Sequence, residues 1–245
     1  LAGMLVLPAV WQLVLTLDIV SERQLASPAT VVGTARQLVA SGVLAEHLWA
    51  SLQRVTIGLS IGITAGVVLA LLAGLFRLGE DLIDPPMQML RTIPVLAIVP
   101  LFIIWLGIDE APKIAMIAVA TAFPMYVNVL AGIRGVDGRL IEAARILGLR
   151  RGRLALHIVL PGSIPSALVG LRYSLGVAWL VLVFAETLNT KAGIGVLISR
   201  AREFMQTDVI LVGACIYAVL GFLTDLFVRL LQRVLLSWRT GFEGT

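Results

Sequence analysis

The chain has 245 residues, 59% apolar and only 14% charged, with a mean hydropathy of +0.98. Soluble domains run at roughly 45–50% apolar and about 25% charged, so an ordinary water-soluble globule is excluded and a membrane protein is indicated. The formal net charge of +4 rests on arginines between apolar runs, where basic residues report orientation in a bilayer rather than affinity for nucleic acid.

A helix needs about 20 mainly apolar residues to cross the hydrocarbon core, and six segments are read as spans. The first covers about 1–17 and is short; Leu1 stands where a start methionine would, so the natural N-terminus is expected upstream. In the connection 18–54, Ser27 and Pro28 suit a helix N-cap and first turn. Val31, Ala35, Leu38 and Val39 then follow a helical period, predicting a short surface helix that ends near Gly42.

The second span, about 55–76, carries Gly58, Gly62, Gly66, Ala70 and Gly74 at four-residue spacing. Such a stripe lets another helix backbone approach closely, either within the chain or across a subunit interface. A short acidic loop is expected at 79–84, before a third span at about 86–106 and a fourth at about 114–133. Pro86, Pro94, Pro100 and Pro124 punctuate these two spans. A proline inside a helix removes a hydrogen bond, so Pro94 and Pro100 either shape a pathway or merely bend a packed helix.

The loop 134–160 holds Arg134, Arg139, Arg145, Arg150, Arg151 and Arg153 against Asp137 and Glu142 alone. By the positive-inside rule it is cytoplasmic, and an even number of spans then puts both termini inside. Within it, Leu140, Ala144 and Leu147 share a helical face, Asp137 suits an N-cap and Gly148 a C-cap with positive φ. A second short helix is expected from about Arg151, ending where Pro161 and Pro165 lead into the fifth span at about 163–185. An amphipathic helix outside the membrane must bury its apolar side on the membrane surface or on another protein. The sixth span covers about 209–230, with Cys215, the single cysteine, inside it; no intrachain disulfide can form.

Charges in or near spans are costly and mark functional candidates. Arg172 lies about nine residues into the fifth span, ~14 Å deep at ~1.5 Å per residue, and Arg91 is shallower in the third. Either they attract an anionic substrate or they pair with carbonyls and acidic neighbours. Asp225 and Arg229 are expected to pair with each other or with headgroups. Glu186 either lines an outer gate or serves as a cap or ion-pair partner. His47 is read as an outer-surface residue and His157 as part of the cytoplasmic loop, neither in metal-ligand spacing.

Glu142-Ala143-Ala144, three residues, Gly148, nine residues, then Ile158-x-Leu160-Pro161 resembles the EAA signature of permeases from binding-protein-dependent ABC importers. Gln88–Ile114, Leu160–Thr187 and Ala201–Val209 are most similar to the aliphatic sulfonate branch; taurine, nitrate, bicarbonate and thiamine-precursor permeases belong to the same wider group. The resemblance implies an all-α integral membrane protein with six transmembrane helices, a single permease domain over 1–245 of the type I ABC importer fold, in the cytoplasmic membrane of a prokaryote. It also implies that residues around 137–152 are coupling helices docking on a cytoplasmic ATPase. There Glu142 meets the ATPase with Arg145 beside it, Gly148 makes the turn, and Leu140, Ala143, Ala144 and Leu147 fill a groove. The implied assembly is two permease copies, two ATPase subunits and an extracytoplasmic substrate-binding protein, in the lipid bilayer and without nucleic acid.

No GxxxxGK[ST] sequence occurs and the only lysines are Lys113 and Lys191, so the chain cannot cradle a nucleotide as a P-loop ATPase does. ATP and Mg are expected on the partner, and no cofactor on this chain. A secondary transporter is the competing class, but it calls for inverted repeats that the sequence does not display. An intramembrane enzyme lacks a catalytic set: HExxH and paired histidines are missing, and the GxSxG match at 58–62 falls inside the glycine stripe of the apolar second span.

Overall fold

The computed structural model of the chain describes residues 10–13, 15–17, 21, 24–188 and 190–236, and every regular element among them is helical. In order these are α1 (Pro28–Ala40), α2 (Val43–Leu75), α3 (Arg77–Thr92), a 3-10 turn (Val95–Ile98), α4 (Val99–Leu106), α5 (Glu110–Arg134) and α6 (Gly138–Ile146). The short α7 (Arg151–Leu154), a π segment (Ala155–Val159), α8 (Leu160–Glu186), α9 (Ile194–Glu203) and α10 (Thr207–Leu235) complete them. The expected first span, about 1–17, lies largely outside the described residues.

Among the described residues, four helices are long and apolar enough to cross a membrane: α2, α5, the continuous run Gly152–Glu186, and α10. Each exceeds the expected length at one or both ends. α2 has 33 residues, ~50 Å at ~1.5 Å per residue, against a hydrocarbon core of ~30 Å. α1 forms as its sequence predicts: the Ser27 side chain accepts from the Thr30 N–H at 3.2 Å and Pro28 takes the first turn.

The third span differs from expectation. α3 and the Val95–Leu106 helix meet at a 90° bend instead of forming a straight 86–106 helix. The cause is Pro94, which drives Ile93 into an extended conformation (φ −85°, ψ 118°) and cannot continue the hydrogen-bond ladder. Pro100 sits in the first turn of α4, where its missing N–H costs nothing. The acidic loop expected at 79–84 is instead part of α3. Its carboxylates are matched by α5: Arg134 meets Glu80 at 2.9 Å and Asp84 at 3.8 Å, and the Tyr126 hydroxyl donates to Asp84 at 2.8 Å.

The chain falls into two compact units, Leu1–Gln53 with Leu182–Leu220, and Arg54–Val181 with Gly221–Thr245. The core of the first is Ala26, Val31 and Val212, with Trp11, Ala35 and Leu38 against it. There the Thr34 hydroxyl donates to Asp208 Oδ2 at 2.7 Å, tying α1 to the start of α10. In the second unit, the glycine stripe of α2 lies on α5. A Cβ at Gly58 would press on Ile117, at Gly62 on Thr121 and the Ala118 carbonyl, at Gly66 on the Ala122 carbonyl, and at Gly74 on Ile133. The stripe thus packs within the chain. Ala70, fully buried, joins Tyr126, Val129 and Leu130 in the core below it.

Burial differs sharply between helices. Half of the most apolar window of α5 is buried inside the chain, against 11% for α10. On α10, Val219, Phe222, Leu223, Leu226, Phe227 and Leu230 are all at least 41% exposed. So large an apolar surface is unfavourable in water and costs nothing against lipid or another helix.

Candidate functional site

The arginine-rich loop contains the helix its sequence predicts. The Asp137 carboxylate accepts from the Arg139 N–H at 2.9 Å and starts α6. At the other end Gly148 has φ +82°; its N–H bonds the Arg145 carbonyl at 2.9 Å and the Leu149 N–H bonds that of Ala144 at 3.0 Å. These two bonds form a Schellman motif, whose left-handed residue is least strained as glycine.

α6 has two faces. Leu140, Ala143, Ile146 and Leu147 are exposed, the last two at 86% and 80%. Ala144 is 3% exposed and Ile141 half-buried, so they face their own chain. This departs from the expectation that Ala144 fills a partner's groove: at 100° per residue it lies about 40° from Leu140 and about 60° from both Leu147 and Ile141, at the edge of the outward face, and the chain's own packing covers it. Glu142 and Arg145 are exposed, and Arg145 lines a cleft with Ile141.

No break separates the loop from the fifth span. α7 passes through the π segment into α8, where the Leu160 N–H bonds the Ala155 carbonyl. That wider turn directly precedes Pro161, which has no N–H to offer the ladder. His157 is exposed, its Nδ1 2.9 Å from the Arg153 carbonyl.

Arg91, Pro94 and Pro100 are exposed. Arg172, expected deep in a span, has a 43% exposed side chain, 3.1 Å from Asp225 and 3.4 Å from the Gln232 carbonyl oxygen of the side chain. Asp225 also holds Arg229 at 2.6 Å, so the pair expected at 225 and 229 is a three-membered cluster. Arg172 thus meets an acidic neighbour.

Glu186 is wholly buried in the first unit. Its Oε1 accepts from the Ser51 hydroxyl at 2.6 Å and its Oε2 from the Gly195 N–H at 2.7 Å. Ser51 in turn accepts from the Ile194 N–H at 2.9 Å. His47 Nδ1 lies 2.9 Å from the N–H of Gly193 and 2.7 Å from its carbonyl oxygen. Gly193 has φ +151°, and a Cβ there would strike the Glu186 carboxylate. The carboxylate therefore caps α9 and holds it to α2, with the charge satisfied by hydrogen-bond donors as burial requires. His47, 6% exposed, is no surface residue.

A second buried cluster lies in the other unit. Arg54 Nε is 2.5 Å from Glu110 Oε2 and Nη2 3.0 Å from Oε1, while Lys113 Nζ is 3.0 Å from Oε1. Both cations are buried, and Glu110 is half-exposed. Among the described residues, no group of three or more His, Cys, Asp or Glu could hold a metal ion.

Residues 62–236 match the family of binding-protein-dependent transport system inner membrane components. The chain belongs to that family. It is a permease subunit of an ABC importer, as the EAA resemblance implies. It is 45% identical over 98% of its length to a putative aliphatic sulfonates transport permease protein, SsuC, of Bacillus subtilis, covering 87% of that protein. A protein of the same name from Escherichia coli is 47% identical over 96% of the chain and 89% of its own length. Among solved structures, an amino acid ABC transporter described with histidines superposes with a TM-score of 0.66 at 17% identity, over 81% of this chain and 96% of that one. At that identity the likeness speaks for the helical fold alone.

In this permease, sequence reasoning missed Ser51, Arg54 and the burial of His47. A signal was present: positions 47, 51 and 54 recur at four and three residues on one helical face, just before the apolar stretch of α2. Their partners are remote, with Glu186 135 positions beyond Ser51 and Gly193 146 beyond His47.

Proposed function

We propose that the chain is one half of a homodimeric permease importing aliphatic sulfonates, fed by an extracytoplasmic binding protein and driven by two cytoplasmic ATPase subunits. The observation that carries the ligand is the 45% and 47% identity, over nearly the whole chain, to relatives named for aliphatic sulfonates. Six transmembrane helices in one domain, with both termini and residues 134–153 on the cytoplasmic side, complete the topology. The arginine excess in that loop supports the orientation.

The outward face of α6 is the coupling surface. Leu140, Ala143 and Leu147 are exposed apolar residues, and the exposed Glu142 stands beside them to meet a cation. ATP and Mg are held by the ATPase; this chain binds neither. When the ATPase dimer closes, the two α6 helices move together and the spans open outward; hydrolysis returns them. Gly148 transmits this motion by fixing the turn, so Gly148→Val leaves insertion intact but reduces ATPase co-purification and uptake. Arg172 keeps its ion pair as a structural element, and Arg172→Gln lowers uptake and assembly in the same proportion.

The deciding experiment is ATPase stimulation of the reconstituted transporter by its binding protein loaded in turn with an alkanesulfonate, taurine, sulfate or nitrate. The alkanesulfonate is expected to stimulate most. Equal or greater stimulation by taurine or nitrate reassigns the cargo within the same group.

A further inference from the structure

A cleft of about 1220 Å³ opens in the second unit between the C-terminal ends of α2 and α5, α6 and the α7–π segment. Phe76, Ile133, Leu154 and Val159 give it apolar walls, and among the described residues Arg145 and Arg150 are the charged ones that line it. Both arginines are exposed, and among the described residues neither is within ion-pair distance of a carboxylate. Arg134 and Arg172, by contrast, are matched by Glu80 and Asp225. The volume exceeds the ~300–1000 Å³ of ordinary small-molecule pockets, so an inorganic anion would leave most of it empty. A second, smaller space of about 270 Å³ is lined by Val67, Leu71, Val129, Ile164 and Ala167. These positions lie about one helical turn back along α2 and α5 from the residues of the cleft, towards the middle of each span. Its one polar side chain, Ser163, turns its hydroxyl to the Leu160 carbonyl at 2.8 Å.

We propose that this cleft binds one anionic phospholipid of the surrounding leaflet, with the phosphate on Arg145 and Arg150 and an acyl chain along Phe76 and Ile133 towards the smaller space. The assignment to the cytoplasmic leaflet rests on the orientation proposed above. Unmatched arginines over an apolar floor at the end of membrane-spanning helices are the chemistry that selects anionic headgroups. Arg145 lines the cleft with Ile141 and is thereby set apart from Leu140, Ala143 and Leu147, so lipid binding and ATPase docking use different sides of α6. Two arginines imply a preference for anionic over zwitterionic lipid on the order of 10- to 30-fold.

The test uses the assembled transporter in nanodiscs containing phosphatidylglycerol or phosphatidylcholine with a photoactivatable group on one acyl chain. Phosphatidylglycerol should label peptides containing Phe76 and Leu154–Val159 at least tenfold more than phosphatidylcholine does. Arg145→Gln with Arg150→Gln should remove that excess, and Arg139→Gln, outside the cleft, should keep it. Ala155→Trp, which fills the cleft without changing charge, should lower labelling by both lipids. Equal labelling by the two lipids, or an excess that survives the double substitution, overturns the proposal. Abolition of the excess by millimolar inorganic phosphate makes the site one for free anions and overturns it too. Loss of ATPase co-purification along with the lipid excess in the double variant assigns the arginines to the partner protein instead. Orientation is read separately, from Gly138→Cys, at the exposed start of α6 and away from Leu140, Ala143 and Leu147, in a Cys215→Ser background. Labelling by an impermeant maleimide only after lysis supports the cytoplasmic leaflet; labelling of intact cells overturns the leaflet and orientation while leaving the lipid preference to be judged on its own.

Discussion

Glu186 is held by donors from two directions, and its energetics follow from its complete burial. The Ser51 hydroxyl and Gly195 N–H supply the hydrogen bonds, and the Ile194 N–H depends on Ser51 in turn. Removing one member leaves a buried donor or acceptor unmatched, at about 1–3 kcal/mol. Ser51→Ala and Glu186→Ala are therefore each expected to lower the melting temperature of the purified permease. In the double variant the losses should fall short of their sum by ~0.5–3 kcal/mol, because both delete the same interaction. Strict additivity in that thermal-melt cycle would mean that the two side chains do not act together. The cluster was not legible at residues 47 and 51 alone. A histidine and serine one helical turn apart carry no information about a carboxylate that the fold returns 135 positions later.

At the scale of the element, the four-residue glycine stripe of α2 and the cap residues of α6 could be read directly, since helical spacing and turn chemistry are local. The partner of the stripe could not. The structure supplies α5, whose Ala118 and Ala122 carbonyls come so near that a side chain at Gly62 or Gly66 has no room. Gly62→Val should cost about 1–3 kcal/mol through overpacking. Gly176→Ala on α8, where nothing lies within 4 Å of the new methyl, should be neutral or stabilise by up to about 1 kcal/mol. Yield and melting temperature of the two variants check the contrast; equal effects would place the α2–α5 contact elsewhere. The bend at Pro94 shows the opposite failure. Pro94 was visible as a break, yet an uninterrupted apolar run from Val95 to Leu106 masked a right-angle turn. Hydropathy measures composition along the chain and is blind to direction.

For the whole molecule, exposed apolar surface sets the environment. α10 buries little of its apolar window inside the chain, and its phenylalanines at 222 and 227 face outward. Phe222→Asp near the middle of this helix should weaken membrane insertion by ~2.5–3.5 kcal/mol, seen as a shift to the alkali-extractable fraction. Unchanged insertion would place Phe222 against protein rather than lipid. The same reasoning explains why a chain with so few charges can hold buried ones: Glu186 meets Ser51 and Arg54 meets Glu110 across the sequence, and Lys113 meets Glu110 one helical turn away.

Composition, the apolar runs, the caps of α1 and α6 and the EAA spacing were enough to identify an all-helical membrane permease before any fold was known. Each depends on residues within a turn or two of one another, or on sums over the chain. Which face of α6 is free, why Ala144 is not on it, that Arg172 meets Asp225, and that Arg145 and Arg150 share an apolar cleft were decided by tertiary packing. Those facts are distances between segments remote in sequence, and helical periodicity fixes the angle of a side chain about its own axis without saying which neighbour lies there.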